Sequence, residues 1–307
     1  MGIGYRCAGG GGQEIYIDGV QSQDSKIFVK NPFMPASGKP RIALLNNLLY
    51  LFNLATSSTY DNYTFDGESF QLIGGSATFT TDVCVHQNTI YGIRNKDVYT
   101  LGANNQWQLI YTAPSLGSLT ASEAYTFIFS YNGSLYYAAA YVAQNMRHYV
   151  KIFKRTASGW EEKVEPSGYW NYRGCAIEYN GNAYILYINT ETDKAQFLVF
   201  NGESITATID LPNSYPQYEN TKMLIYNNKI RLIGGRLDDT IQDYNGTTFE
   251  TYENTSGLSL SVPRVLFFNT ASAYMLGDYK YYFGVMDGCA YIGYKDEVVN
   301  IGQYVTS

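Results

Sequence analysis

Histidine is almost missing from the 307 residues: only His86 and His148 occur, so imidazole-based acid–base or metal chemistry has very little material. Cysteine is scarce as well. Cys7, Cys84, Cys175 and Cys289 are widely spread, with no CxxC pair and no neighbouring histidine pair, which excludes the clustered spacing of a zinc site. Cys84 and Cys175 fall in apolar runs and read as buried free thiols, in keeping with a reducing compartment. Basic runs are absent. With 21 Lys+Arg against 27 Asp+Glu and a net charge of −6, nothing offers itself to a nucleic-acid backbone or an anionic membrane surface. No stretch approaches the ~18–20 apolar residues that span a bilayer, so no membrane insertion is expected. The start, MGIGYRCAGGGG, lacks the basic-then-apolar order of a secretory signal.

What the chain has in quantity is strand-forming aromatic residues, 31 Tyr and 15 Phe, with 29 Gly for turns and only 8 Pro. Tight polar turns recur every 41 to 50 residues: Asn46-Asn47, Gln87-Asn88, Asn132-Gly133, Asn180-Gly181, Asn227-Asn228 and Gly277-Asp278. Each precedes an aliphatic-aromatic run such as NNLLYLF, NGNAYIL or NNKIRLI. A fixed period of this size marks a repeat architecture. Asn-Gly and its relatives supply the positive φ angles of two-residue hairpins, so each phrase reads as a hairpin. A second strand–turn–strand signal follows 20 to 28 residues later, for example LVFNGESITATI at 198–209 and QDYNGTTFETY at 242–252. Two hairpins make four sequential antiparallel strands per repeat, which is the blade of a radial sheet array.

The expected fold is therefore all-β: a six-bladed β-propeller of four-stranded antiparallel blades, with seven blades as the alternative. The blades fall at roughly 41–75, 81–112, 124–166, 171–212, 219–254 and 271–305, within a single domain over 13–307. Two strand candidates in 13–31, QEIYID and KIFVK, offer either ring closure with the last blade or a half-blade. Residues 1–12 form a glycine-rich arm, too poor in side chains to pack alone, through which a homo-oligomer could assemble.

The blade at 219–252 ends its second strand in Gly234-Gly235, with Tyr244 and Phe249 following. In this it resembles a kelch repeat, where a glycine doublet closes the second strand and two aromatics follow at similar spacing. Trp107 and Trp160 take the expected aromatic position in the second and third blades. In the first blade Gly74-Gly75 falls after the fourth strand, so the doublet is in register once. The resemblance extends over about 41–305 by period and hairpin phrase, and implies a propeller.

Catalytic signatures are missing. TASGW at 156–160 lacks the Asp of the sialidase Ser-x-Asp-x-Gly-x-x-Trp turn, and no His and Tyr–Cys set suits a copper oxidase. Gly9 to Gly12 neither follow a strand nor precede Lys-Ser/Thr, so they form no phosphate loop. DGESF at 66–70 lacks the full acidic spacing of a calcium loop. Four N-x-S/T sequons, at Asn62, Asn132, Asn245 and Asn254, read as turn chemistry. No cofactor and no metal are expected.

The longer connectors gather on the face opposite the short hairpins, where binding residues concentrate on rigid scaffolds. The richest polar-aromatic cluster there is Tyr169, Trp170, Tyr172 and Arg173, joined by Tyr215, Tyr218, Arg236, Asp238 and Asp239. Aromatic planes beside charged groups suit sugar rings and protein hot spots alike. The low charge and glycine-rich start are similar in style to phage-tail and virion-appendage propellers. That resemblance implies a non-enzymatic module on a virion, contacting a host-surface glycan or other virion proteins; a cytoplasmic location is the alternative. The alternative function is a kelch-type sugar enzyme, such as a sialic-acid mutarotase or glycan lyase, with Glu123, Asp82, Arg41, Arg173 and Arg236 as candidate groups near the inner strands. An intracellular protein-interaction adaptor is a second alternative.

Overall fold

A computed structural model describes residues 3–5, 15–17, 29–30, 37–55, 60–65, 70–76, 82–94, 96–112, 126–142, 148–164, 169–170, 175–189, 191–214, 221–233, 240–253, 272–276, 279–286, 289–294 and 304–306. Among these residues every regular element is a strand. The strands form antiparallel sheets in which sequence neighbours pair, the arrangement of a β-propeller.

The first blade holds Ser37–Leu45, Leu48–Ala55, Tyr60–Phe65 and Phe70–Ser76; the second holds Asp82–His86, Thr89–Arg94, Asp97–Leu101 and Trp107–Thr112. Thr126–Tyr131, Ser134–Val142, His148–Thr156 and Gly159–Val164 make the third. Next comes a five-stranded sheet of Tyr169–Trp170, Ala176–Tyr179, Asn182–Asn189, Lys194–Phe200 and Ile205–Ser214. Lys222–Tyr226, Lys229–Ile233, Thr240–Tyr244 and Phe249–Glu253 follow as four strands. The last four-stranded sheet combines Ser272–Leu276, Tyr279–Met286 and Cys289–Tyr294 with Val29–Lys30, which pairs with Tyr291 and Ile292. Ile3–Tyr5, Ile15–Ile17 and Tyr304–Thr306 form a separate three-stranded sheet.

This corrects the expected count. Five blades are four-stranded, against the six expected or the seven held as the alternative. The sheet around 169–214 departs because Tyr169–Trp170 and Ala176–Tyr179 both pair with Asn182–Asn189, at Ile188–Asn189 and at Asn182–Ile185 respectively. Two short strands share one edge there. The first-blade doublet also shifts: Gly74 and Gly75 lie inside the fourth strand, next to a register break opposite Asn62 and Tyr63, and Gly74 has φ 130°. Gly234-Gly235 and the Gly277-Asp278 turn lie outside the described residues.

The repeated turns explain the regularity. Asn46, Asn47, Gln87, Asn88, Asn132, Asn180, Asn227 and Asn228 have φ between 44° and 58°, with Gly133 at 67° and Gly181 at 74°. Both central residues of a type I′ turn need this left-handed region, which Asn and Gly enter at least cost. The sequon residue Asn245 also serves its own turn, its Oδ1 accepting from the N–H groups of Thr247 and Thr248 at 2.9 Å each.

Sheet faces bury against neighbouring sheets. Phe127, Phe129, Tyr131 and Tyr136 of the third blade meet Tyr187, Leu198 and Phe200 of the next sheet. On that sheet's other face Tyr184 and Phe197 meet Ile230, Leu232 and Tyr244. The opposite face of this last blade carries an ion pair, Arg231 donating through Nε and Nη2 to the two Asp243 oxygens at 2.7 Å each, cross-strand and buried. Inner strands touch in succession round the axis, and Ser272–Leu276 returns to Ser37–Leu45.

A recurring strut fixes neighbouring blades at the turn face. Tyr131 donates to the carbonyl of Gly181 at 2.6 Å, and Tyr179 to that of Asn228 at 2.9 Å. Each tyrosine immediately precedes its own turn and reaches the next one, so the repeat period is also a packing period.

Candidate functional site at the axis

The inner strands enclose an axial cavity of about 470 Å³, within the range of small-ligand pockets. Its wall is mostly apolar, with Ile42, Leu44, Val83, Val85, Ile128 and Ile225 contributed by four different blades. Leu44 and Ile225 remain 36% and 37% exposed, so this apolar surface is open to a ligand. Set into it are two carboxylates, Asp82 and Glu178, the Ser130 hydroxyl, and the thiols of Cys84 and Cys175.

Each inner strand has one unpaired edge, and that edge faces the axis. Because Tyr131 and Ser134 close a two-residue hairpin, their ladder bonds take the odd residues of Thr126–Tyr131. The N–H groups of Ile128, Ser130 and Asn132 point the other way. Neighbouring blades supply acceptors to this edge: Asp82 Oδ2 accepts from Ile128 N at 3.2 Å, and Glu178 Oε2 from Asn132 N at 3.2 Å. Cys175 Sγ donates to the carbonyl of Thr221 at 3.5 Å, satisfying a group on the next blade. Such bonds cover an edge that would otherwise invite further strand pairing.

Asp82 begins its strand, at the end away from the turns, and Glu178 lies one residue before Tyr179, beside them. The carboxylates therefore belong to opposite ends of the cavity. His86 is 7% exposed and shares a 3.0 Å hydrogen bond, Nδ1 to Oγ, with Ser130. Burial lowers the pKa of this imidazole from its usual 6.5. Burial first, and the Asp82 charge second, raise the Cys84 thiol well above its ordinary value, so it stays protonated. Cys84 and Cys175 are partly buried thiols. Among the described residues no three His, Cys, Asp or Glu side chains gather as metal ligands.

Of the residues singled out in the sequence, Tyr169 and Trp170 form a short strand facing Asn189 and Ile188, beside Ser134–Val142 and His148–Thr156 of the third blade. They share an edge with the inner strand Ala176–Tyr179, towards the end away from the turns. Tyr172, Arg173, Tyr215, Tyr218, Arg236, Asp238 and Asp239 lie outside the described residues, as does Glu123. Asp82 reaches the cavity wall, whereas Ser130, Glu178 and the His86 contact were not anticipated. A signal for them exists only when repeats are aligned on their turns: Leu44, Val85, Ser130, Glu178 and Ile225 then occupy one position, two residues before each turn.

No family model matches the sequence, and no curated protein resembles it in sequence. Solved structures resemble it in fold. YjhT superposes with a TM-score of 0.57 at 12% identity, over 90% of this chain and 99% of YjhT. A Trypanosoma rangeli sialidase gives 0.53 at 9%, over 88% of this chain and 57% of its own. A gluconolactonase from Xanthomonas campestris gives 0.51 at 11%, over 87% and 98%. The chain thus spans little more than half the length of that sialidase. At such identities the likeness establishes the propeller fold and transfers no site residue.

The company nevertheless corrects one expectation. A non-enzyme was inferred from missing motifs, yet the solved structures that share this fold include sialidases and a gluconolactonase, so that expectation does not stand. A missing local motif is weak ground when a site draws its residues from several blades. The kelch and virion-appendage resemblances receive no support from these comparisons.

Proposed function

We propose that this propeller is an enzyme acting on a carbohydrate held in the axial cavity. One observation carries the reading: a cavity of about 470 Å³ whose exposed apolar wall bears two carboxylates, Asp82 and Glu178. Sugar rings present apolar C–H faces between directional hydroxyls, so an aliphatic wall with a few acceptors complements them. Carboxylates are the usual proton carriers of glycoside and anomeric chemistry. Asp82 and Glu178 are the assigned proton-transfer groups. The sugar-acting enzymes of the same fold favour this reading over an adaptor.

The finer form is a sialic-acid mutarotase or a glycan lyase of kelch type. Both need one group to deliver a proton to oxygen while another removes one. A surface glycan is the proposed source of substrate, and the Tyr169–Arg173 segment, with Tyr215, Tyr218, Arg236, Asp238 and Asp239, the proposed lip. Residence on a virion is a separate proposal, tested by mass spectrometry of purified particles from the source.

The deciding experiment exposes the protein to N-acetylneuraminic acid, fluorogenic glycosides and acidic oligosaccharides, following anomer exchange by NMR and products by mass spectrometry. Turnover should fall about 100-fold or more in Asp82→Asn and in Glu178→Gln, which keep the edge hydrogen bonds. Turnover unchanged in both variants would remove the assignment, and sugar binding without turnover would remove the enzyme.

A further inference from the structure

The His86–Ser130 contact is the one place among the described residues where the blade-to-blade strut joins two side chains that can do chemistry. At the next two seams the residue before the turn is a tyrosine, and it donates to a carbonyl. At this seam the same position is His86, its partner is the hydroxyl of Ser130, and Ser130 lies in the cavity wall. A strut alone requires neither an imidazole nor a hydroxyl open to the axis.

We propose that Ser130 and His86 form a nucleophile–base pair that hydrolyses small acyl esters entering the axial cavity from the turn face. This activity is independent of the carboxylate chemistry assigned above. A 3.0 Å separation is within reach for proton transfer from Oγ to Nδ1. The ladder parity of Thr126–Tyr131 also turns the N–H of Ser130 toward the axis, where it can donate to the oxygen of an attacked carbonyl. Burial keeps the imidazole neutral at pH 7 and able to accept a proton.

The steps balance. Ser130 Oγ bonds to the ester carbonyl carbon as its proton passes to His86 Nδ1, and the carbonyl π pair moves onto oxygen. Collapse breaks the bond to the alcohol oxygen, which leaves with the proton from His86. Water then attacks the acyl-serine, giving one proton to His86. Collapse releases the carboxylic acid, and His86 returns that proton to Ser130 Oγ.

The test uses a fluorophosphonate probe on the full chain, with the adduct located by peptide mass spectrometry, alongside release of p-nitrophenol from p-nitrophenyl acetate. Labelling should map to Ser130, disappear in Ser130→Ala, and slow at least 10-fold in His86→Gln, which retains a polar partner at the seam. The rate should hold at pH 7 and fall as pH drops below the ordinary histidine value of 6.5. Among the described side chains, the titratable or charged groups on the packed strands are Arg41, Asp82, Cys84, Tyr91, Arg94 and Tyr131. The shift of His86 comes from burial, and Tyr91 lies against its ring. A folded protein whose Ser130 stays unlabelled, or is labelled equally fast in His86→Gln, overturns the pair and leaves a strut. Circular dichroism of both variants separates that result from misfolding, and sugar turnover is read in a separate assay.

Discussion

Two seams of the same ring are filled in opposite ways. Between the third blade and the five-stranded sheet, six buried rings interdigitate: Phe127, Phe129, Tyr131, Tyr136, Tyr187 and Phe200. Among the described residues, the buried set between the first two blades is Ala43, Phe52, Val83 and Ile90, with a single buried ring. Phe52 compensates by a tilted ring contact with Trp107, centroids 4.9 Å apart, and Trp107 is only partly buried. Radial sheets diverge from the axis, so material must thicken outward, and large planar side chains fill that wedge with few atoms to order. The aromatic seam therefore carries more of the stability, and the aliphatic seam has more room to adjust beside the cavity.

The largest effect should follow Phe200→Ala, which removes a fully buried ring packed edge-on to Tyr136 at 5.4 Å. A loss of about 3–5 kcal/mol is expected in urea unfolding. Val83→Ala on the thinner seam should cost roughly 2 kcal/mol, and a cost equal to that of Phe200→Ala would break the comparison. Tyr131→Phe deletes only the bond to Gly181 and should cost about 1 kcal/mol, because the exposed turn carbonyl can turn to water.

The smallest effect separates the seams by pH. His86 is held neutral by burial, so the unfolded chain binds its proton more readily. Its contribution is complete above the unfolded value of about 6.5 and declines as pH falls from there toward the lowered folded value. Melting temperature should drop on acidification through that window, and less in His86→Gln. A tyrosine strut, as at the next two seams, has no such dependence.

The turns were legible because their physics leaves few choices. Two adjacent positive φ angles select Asn and Gly, so Asn132-Gly133 and Asn180-Gly181 announce hairpins from local sequence alone. The short strand Tyr169–Trp170 was not legible, since its pairing with Ile188 and Asn189 depends on residues almost twenty positions away. GYWNYRG reads locally as a polar-aromatic loop. The cavity was obscured for a related reason. Asp82, Ser130 and Glu178 stand more than forty residues apart in sequence and meet only because successive blades share an axis. No window of the sequence contains the constellation, and alignment by turn brings Ser130 and Glu178 onto one position only after the period is known.

The pairing of Val29–Lys30 with Tyr291–Ile292 has a consequence for biogenesis. During synthesis the early blades can stack as they emerge, while that N-terminal segment must wait some 260 residues for its partner. Until then the growing stack keeps two bare flanks, and the axial chamber has no complete wall. The strand Cys289–Tyr294 acts as the clasp, so ligand binding should appear abruptly once that strand has emerged and not grow blade by blade.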